Sequence, residues 1–260
     1  MQLKITTIVF LLFASCSGEI SKSNFAEPTY IYLGENSICY FSTDSARRVV
    51  IFTDFQNNRL DSSVLFGRLK ERYVNAQVFN FSQINEVNLS QTLTGSLDIF
   101  VVPNSNVNSL DLIGLFKNLK GLQYFLVVNK ATARVLFRKL AYQSNKNSTT
   151  RNFKNVGVGG VTMVSGFDFV GLPVVLVQSE AESRIPKMLS VAMQNPLDYI
   201  ISVDDSAYIT IQRNVIKVYG KGQMFMVKHP EASTKVDNGL FGGENLQVSV
   251  FLPGDSLVIK

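Results

Sequence analysis

The chain has 260 residues, of which 46% are apolar and 17% charged, with a net charge of +5, two cysteines, one histidine and no tryptophan. This balance indicates a packed globular core and excludes a disordered chain. Lysines and arginines are scattered among acidic residues, so no nucleic-acid-binding surface is predicted, and two cysteines are too few for a disulfide framework.

The first residues have the order that is typical of a secretory signal peptide. One cation, Lys4, precedes an apolar run from Ile5 to Phe13, and small residues follow from Ala14 to Gly18. The apolar run is about nine residues long, well short of the roughly 20 residues of a membrane-spanning helix, so no permanent transmembrane anchor is expected. Export from the cytoplasm is therefore predicted.

The end of this leader, Phe13-Ala14-Ser15-Cys16, resembles the lipobox of bacterial lipoproteins, in which the cysteine becomes the acylated first residue. The resemblance implies a leader over residues 1–16, a lipid on Cys16, and a protein anchored in the bacterial cell envelope on the periplasmic or surface side. The alternative is ordinary cleavage in the region from Ala14 to Gly18, with Cys16 left as a free thiol or as a partner for Cys39. Residues 17–27 are polar and predict a tether, and one folded domain is expected over residues 28–260.

Strands and helices are predicted to alternate through the first half of the domain. Apolar runs bounded by turn residues predict buried strands, and one-sided apolar spacing predicts helices. The predicted strands are residues 30–34, 48–53, 77–81, 97–102 and 124–128, the predicted helices are 62–73, 109–119 and 132–142, and a surface loop is predicted over 143–154.

The last third of the chain has a different pattern. A helix is predicted over residues 184–194 and a strand over 199–203, followed by short alternating runs at 208–212, 215–219 and 223–227 that are joined by tight turns. The predicted fold is therefore α/β: a three-layer sandwich with a mostly parallel central sheet flanked by helices, and a C-terminal antiparallel β-meander.

Residues 183–228 resemble the C-terminal half of the cyanophycinases, which are serine peptidases with a class I glutamine-amidotransferase-like fold. The resemblance lies in a helix with Arg184, Lys187 and Leu189, then in Val203-Asp204-Asp205-Ser206-Ala207, and then in Gly220-Lys221-Gly222. The order of the predicted elements from Tyr30 onward also fits. The resemblance implies this fold for residues 28–260 and, in an active member, a catalytic Ser, His and acid.

The catalytic pattern of that family is not preserved in this sequence. The family places its nucleophile in Gly-Thr-Ser-Ala-Gly, on a sharp turn after a buried strand. The corresponding segment here is Asn129-Lys130-Ala131-Thr132-Ala133, so Ala131 stands at the serine position. Gln178 or Ser179 stands at the position of the family's His, and Asp205 at that of the acid, which is usually Glu.

A former active-site cleft is thus implied without its nucleophile or its base. The Gly-Gly-Asp-Gln segment of the family is likewise replaced, by Pro103-Asn104-Ser105-Asn106. The residues that the resemblance assigns to this vestigial cleft are Asn104, Asn129, Lys130, Thr132, Ser179, Glu180, Arg184 and Asp204.

Each conspicuous polar residue also has a structural interpretation, which the sequence favours. Thr132 is a good N-cap as well as a conceivable nucleophile with Lys130 as its base, and His229 before Pro230 suits an exposed turn better than a relocated catalytic base. In a strand, Asp204 and Asp205 would point to opposite faces, which argues against a paired acid/base site and favours strand-end solvation or capping.

The remaining patterns favour structural roles too. Glu180, Glu182 and Arg184 suit a charged helix start. The glycines of residues 157–160 suit a bulge that enters a strand better than a phosphate cradle, because no Lys-Ser/Thr follows them. No Cys, His and acid cluster has metal-ligand spacing, so neither a metal nor a cofactor is predicted.

Three functions stay open at this point. The first is a noncatalytic, lipid-anchored cyanophycinase relative that binds a peptide or protein ligand or is structural, with homo-oligomers possible. The second is an active serine-type hydrolase of cyanophycin-like or β-aspartyl peptides with a relocated nucleophile such as Ser144 or Ser165. The third is an assembly lipoprotein, which an exposed apolar patch of several hundred Å² would favour.

Overall fold

The computed structural model describes fourteen segments of the chain. They are residues 29–34, 36–37, 41, 48–53, 67, 69, 71–80, 97–101, 124–128, 133–143, 161–178, 184–229, 234–238 and 240–260. The predicted leader, tether, helix 109–119 and nearly all of the loop 143–154 lie outside these residues, and so does all but the end of the predicted helix 62–73.

Strands dominate the described part of the chain. Sixteen strands have defined bounds there, together with one α-helix, α1 (Arg184–Gln194), and a short 3-10 helix (Ala133–Val135). Residues 67, 69, 71 and 72 are also helical. The strands are β1 (Thr29–Leu33), β2 (Arg48–Thr53), β3 (Gln77–Asn80), β4 (Leu97–Val101), β5 (Tyr124–Val128), β6 (Lys139–Gln143), β7 (Val161–Ser165), β8 (Val174–Gln178), β9 (Tyr199–Val203), β10 (Ala207–Gln212), β11 (Val215–Gly220), β12 (Met224–Lys228), β13 (Thr234–Asp237), β14 (Leu240–Gly243), β15 (Gln247–Phe251) and β16 (Ser256–Val258).

The first sheet has eight strands in the order β16-β11-β10-β1-β5-β4-β2-β3. The five strands from β1 to β3 in this order pair in parallel. The strands β10, β11 and β16 are joined by antiparallel pairings, and β10 pairs antiparallel with β1. This sheet is therefore parallel on one side and antiparallel on the other.

The second sheet has six strands in the order β15-β12-β9-β8-β6-β7. Its middle strands β9, β8 and β6 pair in parallel, whereas β12 and β15 on one side and β7 on the other pair antiparallel. A separate two-stranded hairpin consists of β13 and β14.

The two larger sheets share one hydrophobic core. Buried residues of the first sheet, such as Tyr32 and Phe52, belong to the same cluster as Leu176, Ile201 and Met226 of the second sheet. Alternate residues of the second sheet pack instead with α1, so this sheet is covered on both faces. A third cluster covers the other face of the first sheet and includes Phe41, Leu69 and Tyr73.

The prediction of a three-layer α/β sandwich is wrong. The structure is mostly β, and its sheets are mixed rather than one mostly parallel sheet between helices. The predicted helix 132–142 is wrong for a local reason: a single 3-10 turn is followed by β6, an inner strand. Leu140 and Ala141 are both buried because opposite faces of β6 contact different clusters, and this continuous burial resembles helical spacing.

The predicted β-meander is also wrong. The strands β10 and β11 form the expected hairpin, with Arg213 of its turn at a φ of 55°. However, β12 does not pair with β11, because it crosses to the second sheet and pairs with β9 and β15.

Most of the individual elements agree with the sequence. The predicted strands 48–53, 124–128 and 199–203 and the helix 184–194 are confirmed with the same bounds, and the other predicted strands are confirmed to within a residue or two. Among the described residues, no helix is long and apolar enough to span a membrane.

Candidate functional site

The start of α1 and the end of β9 meet at a buried ion pair. Arg184 donates a hydrogen bond from Nη1 to Oδ1 of Asp204, and the side chains are 9% and 27% exposed, respectively. The other carboxylate oxygen, Oδ2, accepts a hydrogen bond from the backbone N–H of Gln223 at 2.9 Å. The backbone N–H of Asp204 donates to the carbonyl of Gln223, also at 2.9 Å. Asp204 therefore ties α1, β9 and the segment before β12 together.

The Arg184 guanidinium also lies over an aromatic ring. Its Cζ atom is 4.8 Å from the centroid of the Phe225 ring, close enough for a cation–π contact. We call Arg184, Asp204, Gln223 and Phe225 the Asp204 corner. A charged hydrogen bond, two backbone contacts and a ring contact hold these groups in one arrangement.

Two glycines allow the backbone to approach this corner closely. A Cβ atom on Gly34, which follows β1, would lie 2.4 Å from the carbonyl oxygen of Asp204 and 2.6 Å from that of Asp205. A Cβ atom on Gly222 would lie 2.6 Å from the Asp204 Cβ. The N–H of Gly34 donates to the Ala207 carbonyl at 3.0 Å, so β1 ends directly against the turn that links the two sheets. The corner is filled by protein atoms.

The structure brings together two of the residues that the sequence assigned to a vestigial cleft, Arg184 and Asp204. Gln178 ends β8, the neighbour of β9, and is partly buried, while Asp205 is exposed beside Asp204. The remaining predicted positions lie outside the described residues: Cys16, Cys39, Asn104, Asn129, Lys130, Ala131, Thr132, Ser144, the glycines of 157–160, Ser179, Glu180 and Glu182.

Two of the structural interpretations need correction. Arg184 is not a solvated charge at the helix start, because it is buried against Asp204 and Phe225. Asp204 and Asp205 do not alternate along a strand, because they lie in the turn after β9. The capping role expected for this acidic pair is nevertheless what Asp204 performs.

His229 is buried, so the prediction of an exposed turn histidine is wrong. The residue follows β12 and is 0% exposed, and neither ring nitrogen has a hydrogen-bond partner in the described structure. His229 lies six positions after Gln223, the residue that contacts Asp204, and six residue steps of extended chain span about 20 Å. His229 and the Asp204 corner therefore lie at opposite ends of β12.

Ser165, proposed above as a relocated nucleophile, is the exposed last residue of β7. A loop follows it rather than a helix, so it does not stand on a strand-to-helix turn. Four strand spacings separate β7 from β12 in the second sheet, about 19 Å across the sheet. The imidazole at the end of β12 is thus far from this hydroxyl.

A tyrosine–lysine contact between the inner strands β9 and β12 of the second sheet was not predicted. Tyr199 Oη accepts hydrogen bonds from Lys228 Nζ at 2.8 Å and from the backbone N–H of Lys260 at 3.3 Å. The hydrogen bond from Lys228 lowers the pKa of the Tyr199 phenol, and the Lys260 contact acts in the same direction against the effect of burial. The residues meet because Lys228 is paired with Tyr199 in the sheet register, which has no local sequence signal.

The described residues contain no group of three or more His, Cys, Asp or Glu side chains that could hold a metal ion. No protein-family model matches the chain, and none of the curated proteins matches it. The resemblance to the cyanophycinases rests on the motifs of residues 183–228, and the three-layer fold that it implies is not the one observed.

Proposed function

We propose that this chain is an exported, lipid-anchored protein of the bacterial cell envelope that is related to the cyanophycinases, lacks their serine-peptidase chemistry, and acts as a binding or structural protein. The leader and Cys16 support the proposed location. The distance between the acidic residues of the turn after β9 and His229 supports the proposed loss of catalysis.

One observation supports the loss of catalysis most directly. A serine hydrolase needs its base within about 3 Å of the nucleophile and of the acid that orients it. The only histidine of the chain is buried about 20 Å along the strand from the Asp204 corner. The position that matches the family's acid, Asp205, lies beside Asp204 in the turn after β9 and is therefore far from His229 as well.

The same corner gives Asp204 a structural role that requires no catalytic triad. Asp204 compensates the charge of a buried arginine and fixes the turn by which the chain passes from the second sheet to the first. These roles depend on packing alone, so they remain when the nucleophile and base are replaced.

The test is to look for serine-hydrolase activity in the full chain, solubilised in detergent. Cyanophycin and β-aspartyl-arginine are offered as substrates, and a fluorophosphonate probe reports reactive serines. The native chain and an Ala131→Ser variant are compared, with an active serine hydrolase as the positive control. We expect neither product nor label from either form, because a serine without a nearby base stays unreactive.

Product or label from the native chain would overturn the proposed loss of catalysis and favour the relocated-nucleophile alternative. Mapping the labelled peptide would then identify the nucleophile. Activity gained only by Ala131→Ser would also contradict the proposal, since it would reveal an intact base.

A further inference from the structure

The strand β15 forms one edge of the second sheet. It pairs with β12 on one side, and the described part of the chain supplies no partner on the other. Alternate backbone N–H and C=O groups of an edge strand point away from its sheet and can pair with another strand.

Most of the exposed side chains of this edge are apolar, and Gln247 is the polar one. Val248 and Val250 are each 50% exposed, and Leu252, which follows the strand, is 52% exposed. The register places Val248 beside Val227 and Val250 beside Phe225, which belong to the cluster around α1. The apolar face under α1 therefore continues outward to the edge of the sheet.

The five residues of β15 carry no charge or proline that would oppose pairing. Residues 246–253 read Leu-Gln-Val-Ser-Val-Phe-Leu-Pro and carry no charge, although exposed edge strands usually hold lysine or another charge that prevents association.

The other sheet edges expose less apolar surface. Val258 in β16 and Val78 in β3 are exposed singly, in strands of three and four residues. At β7, the other edge of the second sheet, the valines and methionine are partly buried.

We propose that β15 pairs antiparallel with β15 of a second copy of this chain, about a two-fold axis at Ser249. The sequence is symmetric at this point, because Val248-Ser249-Val250 reads the same in both directions. In this register each Val248 lies opposite Val250 of the second copy, and each Gln247 lies opposite Phe251. The two six-stranded sheets then form one continuous sheet.

The symmetric sequence Val248-Ser249-Val250 favours a second copy of the chain over an unrelated strand. In a two-fold contact the same surface is used by both copies, so this surface must complement itself. The missing charge in β15 also permits this pairing, because two positively charged copies can meet along it without local repulsion. A five-residue strand is small compared with the roughly 1,200–2,000 Å² of a stable interface, so we expect a weak, micromolar dimer. The dimer does not depend on the proposed loss of catalysis.

Cross-linking tests the register. The full chain carries Cys16→Ser and Cys39→Ser, and Ser249→Cys is added. Directly opposed residues of antiparallel strands have Cα atoms about 4.5–5.5 Å apart, within the range that a disulfide spans. We expect mild oxidation to give a disulfide-linked dimer. A Val74→Cys control stays monomeric, although Val74 is 84% exposed.

Sedimentation of the cysteine-substituted chain tests the dimer itself. Because the dimer is two-fold symmetric, Val250→Lys places one charge from each copy in the interface. It should raise the dissociation constant of the dimer about tenfold or more, whereas Val74→Lys should not change it. Far-UV circular dichroism checks that both variants fold. If Val250→Lys does not fold, the Ser249→Cys cross-link still tests the proposal.

Three results would overturn the proposal. The first is a chain that stays monomeric at all concentrations, and the second is cross-linking no stronger at Ser249→Cys than at Val74→Cys. The third is a monomer whose binding to phosphatidylglycerol vesicles is lost in Val250→Lys, which would show that β15 faces the membrane instead.

Discussion

A buried arginine is tolerated only when a negative charge and hydrogen-bond acceptors lie beside it. Arg184 has Asp204 as this partner, and the carboxylate also accepts the Gln223 N–H. The neighbouring carboxylate of Asp205 is exposed and lies outside this arrangement. Asp204 and Asp205 are therefore expected to contribute different amounts to the free energy of unfolding, so a substitution of Asp205 is the control for the same substitution of Asp204.

We predict that Asp204→Asn destabilises the protein by about 2–3 kcal/mol. The value lies below the roughly 3–5 kcal/mol of a fully buried pair because the Asp204 side chain is 27% exposed. Asp205→Asn should change stability by less than about 0.5 kcal/mol. Urea unfolding followed by far-UV circular dichroism measures both.

The double variant Arg184→Met with Asp204→Asn separates the charge from the packing. Removing both charges leaves no unpaired ion, so it should recover most of the loss seen for Asp204→Asn. Equal losses for Asp204→Asn and Asp205→Asn would mean that the ion pair contributes no stability.

Between elements, the tightest contact joins the end of β1 to the turn between β9 and β10. Gly34 faces three backbone carbonyls at this point, and backbone atoms cannot move aside as a flexible side chain can. We predict that Gly34→Ala costs about 3 kcal/mol, at the upper end of typical overpacking effects. Thermal unfolding by circular dichroism measures the loss.

Gly67 is the matched control for this substitution. It is a helical glycine with open space around the position of its Cβ, so Gly67→Ala should leave stability unchanged or raise it by about 0.5–1 kcal/mol. If both alanine variants were equally stable, β1 would not pack against the turn as described.

Sequence reasoning worked where the signal is local. The helix Arg184–Gln194 was predicted with its bounds because its apolar residues recur on one face, and strands such as Arg48–Thr53 stand out as short apolar runs. It failed where tertiary contacts decide. Lys139–Gln143 is an inner strand of a second sheet, and nothing within its five residues distinguishes that environment from the buried face of a helix.

The same limit applies to the candidate site. Arg184 and Asp204 were both named, but their contact depends on how α1 and β9 meet, 20 residues apart in sequence. The Tyr199–Lys228 contact arises from the register of β9 with β12. His229 was assigned to the surface from its neighbours Lys228 and Pro230, because strand direction and burial are set by distant segments.

Across the chain, the path alternates between the two large sheets. The strands β1 to β5 lie in the first sheet and β6 to β9 in the second, after which β10 and β11 return to the first, β12 and β15 to the second, and β16 to the first. The first sheet therefore contains strands from both ends of the described chain, and the second is completed by strands that follow β10 and β11. This interleaving and the shared core favour one folding unit over two separable domains.

The predicted lipid on Cys16 determines how this folded unit is held at the membrane. The apolar leader is too short to span a bilayer, and stable attachment by acyl groups requires two or more chains or a second membrane contact. We predict that the native chain sediments with membranes and incorporates a fatty-acid label. Cys16→Ser should lose the label and shift the protein to the soluble fraction, whereas Cys39→Ser should keep both properties. If Cys16→Ser still sedimented with membranes, the acyl anchor would not be what holds the protein there. The apolar edge at Val248 and Val250 would then be the first surface segment to mutate.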